Sequence, residues 1–231
     1  MSLKKIILAV SAVIAIAAIA VILTYDRIVI YFIAKQYNLS MSYSGVKNAN
    51  FRELIFTDLK AIDKKTGSGL FARQAKLWPS IGIQTSDSKA LTFELKDVHF
   101  IPSKKDTGKN RDYLTDLVSM PFNEKWVYKE LYGDIVEFEK GIFVKKLVAT
   151  SDTIRLSMNG YLYKNNNIDA NIIISFSKTL LNELPEDVSG AILKDEPGDW
   201  KSFSAHLAGN LKKPSIEITG KLFRLNIRQV E

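Results

Sequence analysis

Few side chains in this sequence have the types and the spacing that an active site needs. Ser86-Asp87-Ser88-Lys89 matches a Ser-x-x-Lys motif, and Lys65-Thr66-Gly67 matches the Lys-Thr-Gly motif that accompanies it in penicillin-recognising enzymes. In those enzymes Ser-x-x-Lys opens a helix and precedes Lys-Thr-Gly. Here the order is reversed, and Ser86 to Lys89 lies in a polar turn between predicted strands. The two matches therefore do not predict a hydrolase.

Other candidates for acid–base, nucleophilic or metal chemistry are sparse. The chain has no cysteine, which excludes thiol catalysis and zinc–thiolate sites, and its two histidines are His99 and His206. His206 lies on the polar face of a predicted strand, where a solvated surface position is the favoured interpretation. Glycine-rich phosphate loops and Gly-x-Ser-x-Gly motifs are missing, and the carboxylates are scattered over polar faces. The sequence predicts a protein that is not an enzyme, with no catalytic residue, cofactor or metal site.

A hydrophobic segment near the start of the chain is long enough to cross a bilayer. Residues 6–24 carry no charge, and nineteen residues of helix span about 28 Å, close to the ~30 Å hydrocarbon core of a membrane. Lys4 and Lys5 precede the segment, so residues 1–5 are predicted to form a cytoplasmic stub before a transmembrane anchor at 6–24. A cleaved signal peptide is the alternative, because Ala18-Ile19-Ala20 has a small-x-small cleavage pattern.

A membrane-proximal amphipathic helix is predicted after the anchor, at residues 25–39. Aromatic rings with polar tips and long basic side chains are favoured at the level of lipid headgroups. The residues predicted to lie at the membrane interface are Tyr25, Arg27, Tyr31, Phe32, Lys35 and Tyr37. An ordinary helix packed under the sheet is the alternative. The net charge of +7 suits anionic headgroups as well as a solvated envelope domain, and the lack of a dense basic run argues against nucleic acid.

From residue 40 onward the spacing of apolar residues changes from a helical period to a period of two. Residues 153–163 and 168–177 alternate between apolar and polar side chains, and the polar segment 164–167 separates them. This pattern predicts a β-hairpin. Residues 203–211 alternate in the same way, as half-buried antiparallel strands do.

The first half of the chain is less regular. Residues 51–63, 70–78 and 91–101 look like strands in which the apolar face changes sides midway. Such a change predicts β-bulges and a strongly twisted sheet. Two short helical insertions are predicted, at 111–119 and at 178–193. The predicted fold class is therefore mainly β, with a twisted antiparallel sheet after an N-terminal transmembrane helix.

The order of these features follows a familiar pattern over residues 133–220. A glycine-containing pair of strands comes first, followed by three further strands, a helical break and a closing strand. In sequence order these are Gly133–Gly141, Val144–Ser151, Ile154–Gly160, Ile168–Ile172 and Ala208–Ile216, and Leu54–Lys60 fits the earlier part. In this order the chain resembles the AsmA-like family, single-anchor bacterial envelope proteins, mainly in their C-terminal module. The matching features are strand patterns, so no catalytic residue carries over.

The resemblance implies a sheet curled into a half-pipe, or taco, over residues 40–231, with an apolar inner face. Members are associated with phospholipid movement across the periplasm and with outer-membrane biogenesis. It therefore implies a single-pass protein of the bacterial inner membrane, with a cytoplasmic N-terminus and a periplasmic domain that binds phospholipid and possible envelope protein partners. Residues expected to line an apolar lipid groove are Ile154, Leu156, Met158, Ile172, Ile174, Phe176, Phe203 and Leu207. A closed β-sandwich, acting as a scaffold or interaction subunit of an envelope complex, satisfies the same alternation.

Overall fold

The fold is described by a computed structural model that covers most of the chain after residue 25. The described residues are 26–49, 53–79, 89–103, 120–182, 192–210, 214–222 and 224–227. The predicted anchor at 6–24, Tyr25, the predicted helix at 111–119 and Ser86 lie outside these ranges. Among the residues that are described, no helix combines the length and the apolar character needed to span a membrane.

The described residues form one open, antiparallel sheet of thirteen strands, which confirms the mainly-β prediction. The strand order is β1-β3-β4-β5-β6-β7-β8-β9-β11-β12-β13, with β2 beside β3 and β10 beside β11. The strands are β1 Leu39–Ser42, β2 Gly45–Ala49, β3 Leu54–Asp63, β4 Gly69–Pro79, β5 Lys89–Ile101, β6 Val127–Phe138, β7 Gly141–Thr150, β8 Ile154–Tyr163, β9 Asn167–Ser177, β10 Lys194–Glu196, β11 Trp200–Asn210, β12 Ser215–Thr219 and β13 Arg224–Ile227. Nearly every strand therefore pairs with its neighbour in sequence.

Helical structure is limited in the described part of the chain. Residues 26–36 form helix α1, so the predicted membrane-proximal helix ends before Leu39, which begins β1. Helix α2 spans Lys178–Leu181, a single turn at the start of the predicted 178–193 segment. A 3₁₀ turn at Met120–Phe122 precedes β6.

The hairpin predicted from alternation is present as β8 and β9. Leu162 pairs with Ile168 across the turn, and Leu156 pairs with Ile174 further along. The segment from Gly133 to Gly141 is predicted to be a pair of strands, and this prediction is wrong. The segment is the end of β6, a turn and the first residue of β7. A single strand continues through residue 138, and only the two-residue turn at 139–140 separates it from β7.

The predicted change of apolar face within the early strands is also present, and it is aligned across neighbouring strands. Asp58 of β3 and Asp97 of β5 have positive φ angles of 50° and 51°. Aspartate tolerates this left-handed conformation better than most residues. The pairing of β4 with β5 passes from Gln74–Lys96 to Ala72–Val98, and Arg73 Nη1 lies 3.8 Å from Asp97 Oδ2 between them. Lys96 and Asp97 are therefore two consecutive residues of β5 whose side chains both face outward. Before them the odd-numbered residues of β5 lie on the apolar face of the sheet, and after them the even-numbered residues do.

One face of the sheet, which we call the inner face, is apolar from its first strands to its last. Cross-strand partners form a continuous row of apolar residues across seven neighbouring strands. In sheet order the row is Ala75, Leu95, Leu131, Ala149, Leu156, Ile174 and Phe203. All seven belong to one buried cluster that extends from β3 to β12. Removal of this surface from water is the main force that stabilises the sheet.

The inner face is covered most completely at the end where β5 joins β6 and β9 joins β11, which we call the packed end. The residues that cover it include Pro121 before β6, Leu180 and Leu181 of α2, and Ile192 and Leu193 before β10. Tyr128 of β6 is fully buried here, and its hydroxyl donates a 2.7 Å hydrogen bond to the Pro121 carbonyl oxygen. Burial raises the pKa of the Tyr128 hydroxyl far above its usual value of 10.0.

Tyr128→Phe is expected to destabilise the protein at neutral pH and to weaken its sensitivity to alkali. Loss of the donor leaves the Pro121 carbonyl oxygen unpaired, at a cost of about 1–2 kcal/mol. Because the folded-state pKa is raised, Tyr128 stabilises the fold fully below pH 10.0 and loses this contribution as the pH rises above it. Thermal unfolding of both proteins at a series of pH values tests this. An identical alkaline slope in the variant would contradict the burial of an uncharged hydroxyl.

Candidate functional site

The eight residues predicted to line a lipid groove all lie on the inner face, on β8, β9 and β11. The backbone pairs Met158 with Ile172, and it pairs Ile174 with both Leu156 and Phe203. Six of the eight are only 0–3% exposed: Ile154, Leu156, Ile172, Ile174, Phe176 and Phe203. Met158 and Leu207 are half-buried. The sequence thus identified a set of residues that share one face, and most of that set lies under other parts of the chain.

The opposite end of the inner face, which we call the open end, is less completely covered. Leu91 pairs with Ile135, and Ile142 pairs with Leu162. All four of these apolar side chains face inward but remain half-buried. Sequence reasoning did not select them, although the same period-two alternation was the signal that would have found them. Val144 and Ile168 beside them are buried, so the accessible apolar surface of the open end is confined to part of it.

Glu137 marks the boundary of the open end. It pairs with Ile142 on one side and with Lys89 on the other, which places it at the end of the apolar rows. The side-chain amide of Gln36, in the last turn of α1, donates a hydrogen bond to the Glu137 carboxylate. Helix α1 therefore reaches across from the first strands of the sheet to the open end.

Helix α1 has apolar side chains on two faces. Ile30 is buried in the main cluster, and Val29 and Ile33 pack against that cluster. Away from the sheet, Tyr31 and Phe32 are 59% and 62% exposed, although both are large and apolar. Together with Ile28 and Lys35 they follow the i, i+3, i+4, i+7 spacing of a single helical stripe, which we call the outward stripe.

The residues predicted to lie at the membrane interface divide between these environments. Arg27, Tyr31, Phe32 and Lys35 are exposed, and the Lys35 ammonium group lies 5.8 Å from the centre of the Tyr31 ring. Tyr37 is half-buried after the helix, and burial, with a further contribution from Glu137, raises the pKa of its hydroxyl. One face of α1 packs against the sheet, as the second alternative predicts, and a membrane contact for its exposed face stays a prediction.

The candidates for enzyme chemistry are not assembled into a site in the described residues. His206 Nδ1 lies 3.1 Å from Asn171 Oδ1, and its Nε2 lies 3.7 Å from Asp169 Oδ1, at the surface of β9 and β11. No group of three histidine or carboxylate side chains in the described ranges could hold a metal ion. Lys65 and Thr66 lie in the turn between β3 and β4. The absence of catalysis remains a prediction from the sequence.

Comparisons with protein-family models, with curated proteins and with solved structures each find no match to this chain. The resemblance to AsmA-like proteins therefore remains a prediction from the order of strands and turns.

Proposed function

We propose that this protein binds phospholipid acyl chains on the open end of its inner face while its N-terminal segment holds it at a membrane. The supporting observation is the uneven burial of one continuous apolar face. At the packed end the apolar inner-face side chains of β8, β9 and β11 are dry, whereas Leu91, Ile135, Ile142 and Leu162 at the open end stay half-buried. Partly exposed apolar surface of this kind favours a hydrophobic ligand.

The curvature expected of a half-pipe is supported by the contact between Gln36 and Glu137. Gln36 lies three positions before the first residue of β1, and Glu137 lies on β6, four places along the sheet. In a flat sheet four strand spacings separate these positions by about 19 Å, and they would also lie at opposite ends of their strands. A sheet that curls towards its inner face brings the two side chains together. The open end then faces α1.

The outward stripe of α1 supports a position at the membrane surface. Exposed Tyr31 and Phe32 beside Lys35 are the combination of residues that interfacial helices present to headgroups. The uncharged segment at residues 6–24 ends just before this helix. Lipid leaving the bilayer beside α1 would therefore meet the open end first. An inner-membrane protein with a periplasmic domain, of the AsmA-like kind, fits this arrangement, with phospholipid transport or outer-membrane biogenesis as its role.

Native mass spectrometry of the full chain, extracted in mild detergent, tests the proposal. We expect phospholipid to remain bound at a defined stoichiometry and to be recovered by organic extraction. Ile142→Asn places an amide at the open end, where a ligand contact would be lost, and we expect this variant to retain several-fold less lipid. Asparagine is disfavoured on apolar surface that a hydrophobic ligand covers.

Ile173→Asn is the matched control for this experiment. Ile173 lies on β9 but faces outward and is 46% exposed, so the same substitution should leave lipid retention unchanged. Circular dichroism of both variants establishes that the sheet is intact. A wild-type protein that carries no lipid, or an equal loss of lipid in both variants, would contradict binding at the open end.

A closed scaffold or interaction subunit is the second candidate. The burial of Ile154, Ile174 and Phe176, each 0% exposed, favours it, because a fully packed face needs no ligand. In that case the protein would be lipid-free and stable in the same measurement, and a protein partner from the envelope would be sought by cross-linking in cells.

A further inference from the structure

We propose that a cleft between helix α1 and strand β1 binds the head of an anionic phospholipid together with the first part of one acyl chain. This inference rests on the proposed function and extends it, because it names a second lipid contact and the class of lipid preferred there. The occupant is a lipid from the bilayer against which the outward stripe lies.

The cleft has a volume of about 390 Å³ and is lined on both sides by apolar side chains. Ile30, Tyr31 and Ala34 of α1 form one wall, and Leu39 and Met41 of β1 form the other. Cavities of roughly 300–1,000 Å³ with apolar walls and a few polar groups are typical of small-molecule sites. Because Tyr31 also belongs to the outward stripe, the cleft opens beside the surface that would face the membrane.

Two basic residues, Arg27 and Lys64, also line the cleft, together with the hydroxyl-bearing Ser40 and Tyr43. Arg27 is exposed in the first turn of α1, and Lys64 is exposed in the turn between β3 and β4. Neither forms an ion pair with a carboxylate among the described residues.

The Tyr43 hydroxyl, which also lines the cleft, donates a 2.7 Å hydrogen bond to the Asp26 carboxylate and interacts with Arg27. Lys64 is therefore available to an anionic group, with Arg27 as a second positive charge that lines the same cleft. Phosphate is the anion that a phospholipid supplies.

The position of Lys64 is fixed by the fold. Its backbone N–H donates a 3.1 Å hydrogen bond to the carbonyl oxygen of Asn38, which connects the β3–β4 turn to the residue before β1. Leu39 pairs with Asp63 in the adjacent position of the ladder. Lys64 from a turn and Arg27 from a helix thereby line one cleft, although they are 37 positions apart in sequence.

Photo-crosslinking of the full chain on phosphatidylcholine vesicles tests this site. The vesicles carry either a phosphatidylglycerol or a phosphatidylcholine probe with a photoactivatable group near the start of one acyl chain. We expect adducts on the peptide that contains Leu39 and Met41, with a higher yield from the anionic probe. Lys64→Glu should lower the yield from the anionic probe by about five-fold or more, the factor that corresponds to ~1 kcal/mol for one basic residue near anionic lipid.

Lys65→Glu is the control, because Lys65 lies in the same exposed turn but does not line the cleft. Equal yields from the two probes, or equal losses in the Lys64 and Lys65 variants, would overturn the headgroup site. Adducts confined to the open end, near Ile142 and Leu162, would overturn the cleft and leave the proposed function standing. The absence of adducts from both places would overturn both proposals.

Discussion

Leu156→Asp is expected to abolish cooperative folding. Leu156 is 1% exposed at the centre of the inner face, paired with Ala149 and Ile174. The substitution removes the burial and packing of leucine, worth about 2–5 kcal/mol, and adds a carboxyl group with no partner, which costs several kcal/mol more. The sum is comparable to the whole stability of a typical domain, about 5–15 kcal/mol. Circular dichroism during heating should detect no sharp transition.

Two further variants keep this expectation testable if Leu156→Asp cannot be purified. Leu156→Ala should fold and lose about 2–5 kcal/mol in its free energy of unfolding. Asn159→Asp introduces the same charged group at an exposed, outward-facing position of β8, and its stability should change by no more than about 0.5 kcal/mol. If Leu156→Asp unfolded at the wild-type temperature, the centre of the inner face would be open to solvent or lipid.

This result bears on where lipid can bind. The sequence predicted that Leu156, Ile174 and Phe203 line a groove, and burial of these residues by the protein itself would leave them as its floor and support. Acyl chains would then contact the half-buried residues of the open end, such as Ile142 and Leu162. The two kinds of position respond differently to polar substitution, since the first unfolds the protein and the second releases lipid.

Much of the fold could be predicted because antiparallel neighbours in this sheet are neighbours in sequence. Alternation within 153–163 and 168–177 was sufficient to identify β8, β9 and the turn between them. The changes of apolar face in β3 and β5 could also be found, because each leaves two consecutive polar residues between apolar ones, as Lys96 and Asp97 do. Alternation with a period of two indicates the face of the sheet on which each side chain lies. It can be recognised from neighbouring residues alone, without knowledge of the rest of the fold.

The sequence could not predict which parts of the inner face are covered by other segments of the chain. Leu156 and Leu162 lie on the same face of β8, yet Leu156 is fully buried and Leu162 is half-buried. The difference depends on connections distant in sequence, such as α2 at the packed end. The two apolar faces of α1 present the same problem, because helical spacing alone does not tell which face meets the sheet. The cleft lined by Arg27 and Lys64 likewise required the pairing of β1 with β3.

A close approach of two strands makes Gly160 the second position at which one small change should have a large effect. Gly160 lies in β8 with φ at +141°, a conformation that side chains rarely adopt. A Cβ atom there would lie 2.3 Å from the carbonyl oxygen of Asp169 and 2.4 Å from the Cα of Ala170. These are backbone atoms of β9, which cannot move aside as a flexible side chain can.

Gly160→Ala is therefore expected to lower the free energy of unfolding by about 3–5 kcal/mol, from backbone strain of ~1–3 kcal/mol together with the displacement of β9. Gly209→Ala separates the two causes, because Gly209 also has a positive φ, +91°, but a Cβ there would meet nothing within 4 Å. That control should lose only the strain. Thermal unfolding of both variants measures the difference, and equal losses would mean that β8 and β9 can separate at Gly160 without cost. A larger loss at Gly160 would mean that the close approach of β8 and β9, in addition to backbone strain, requires glycine there.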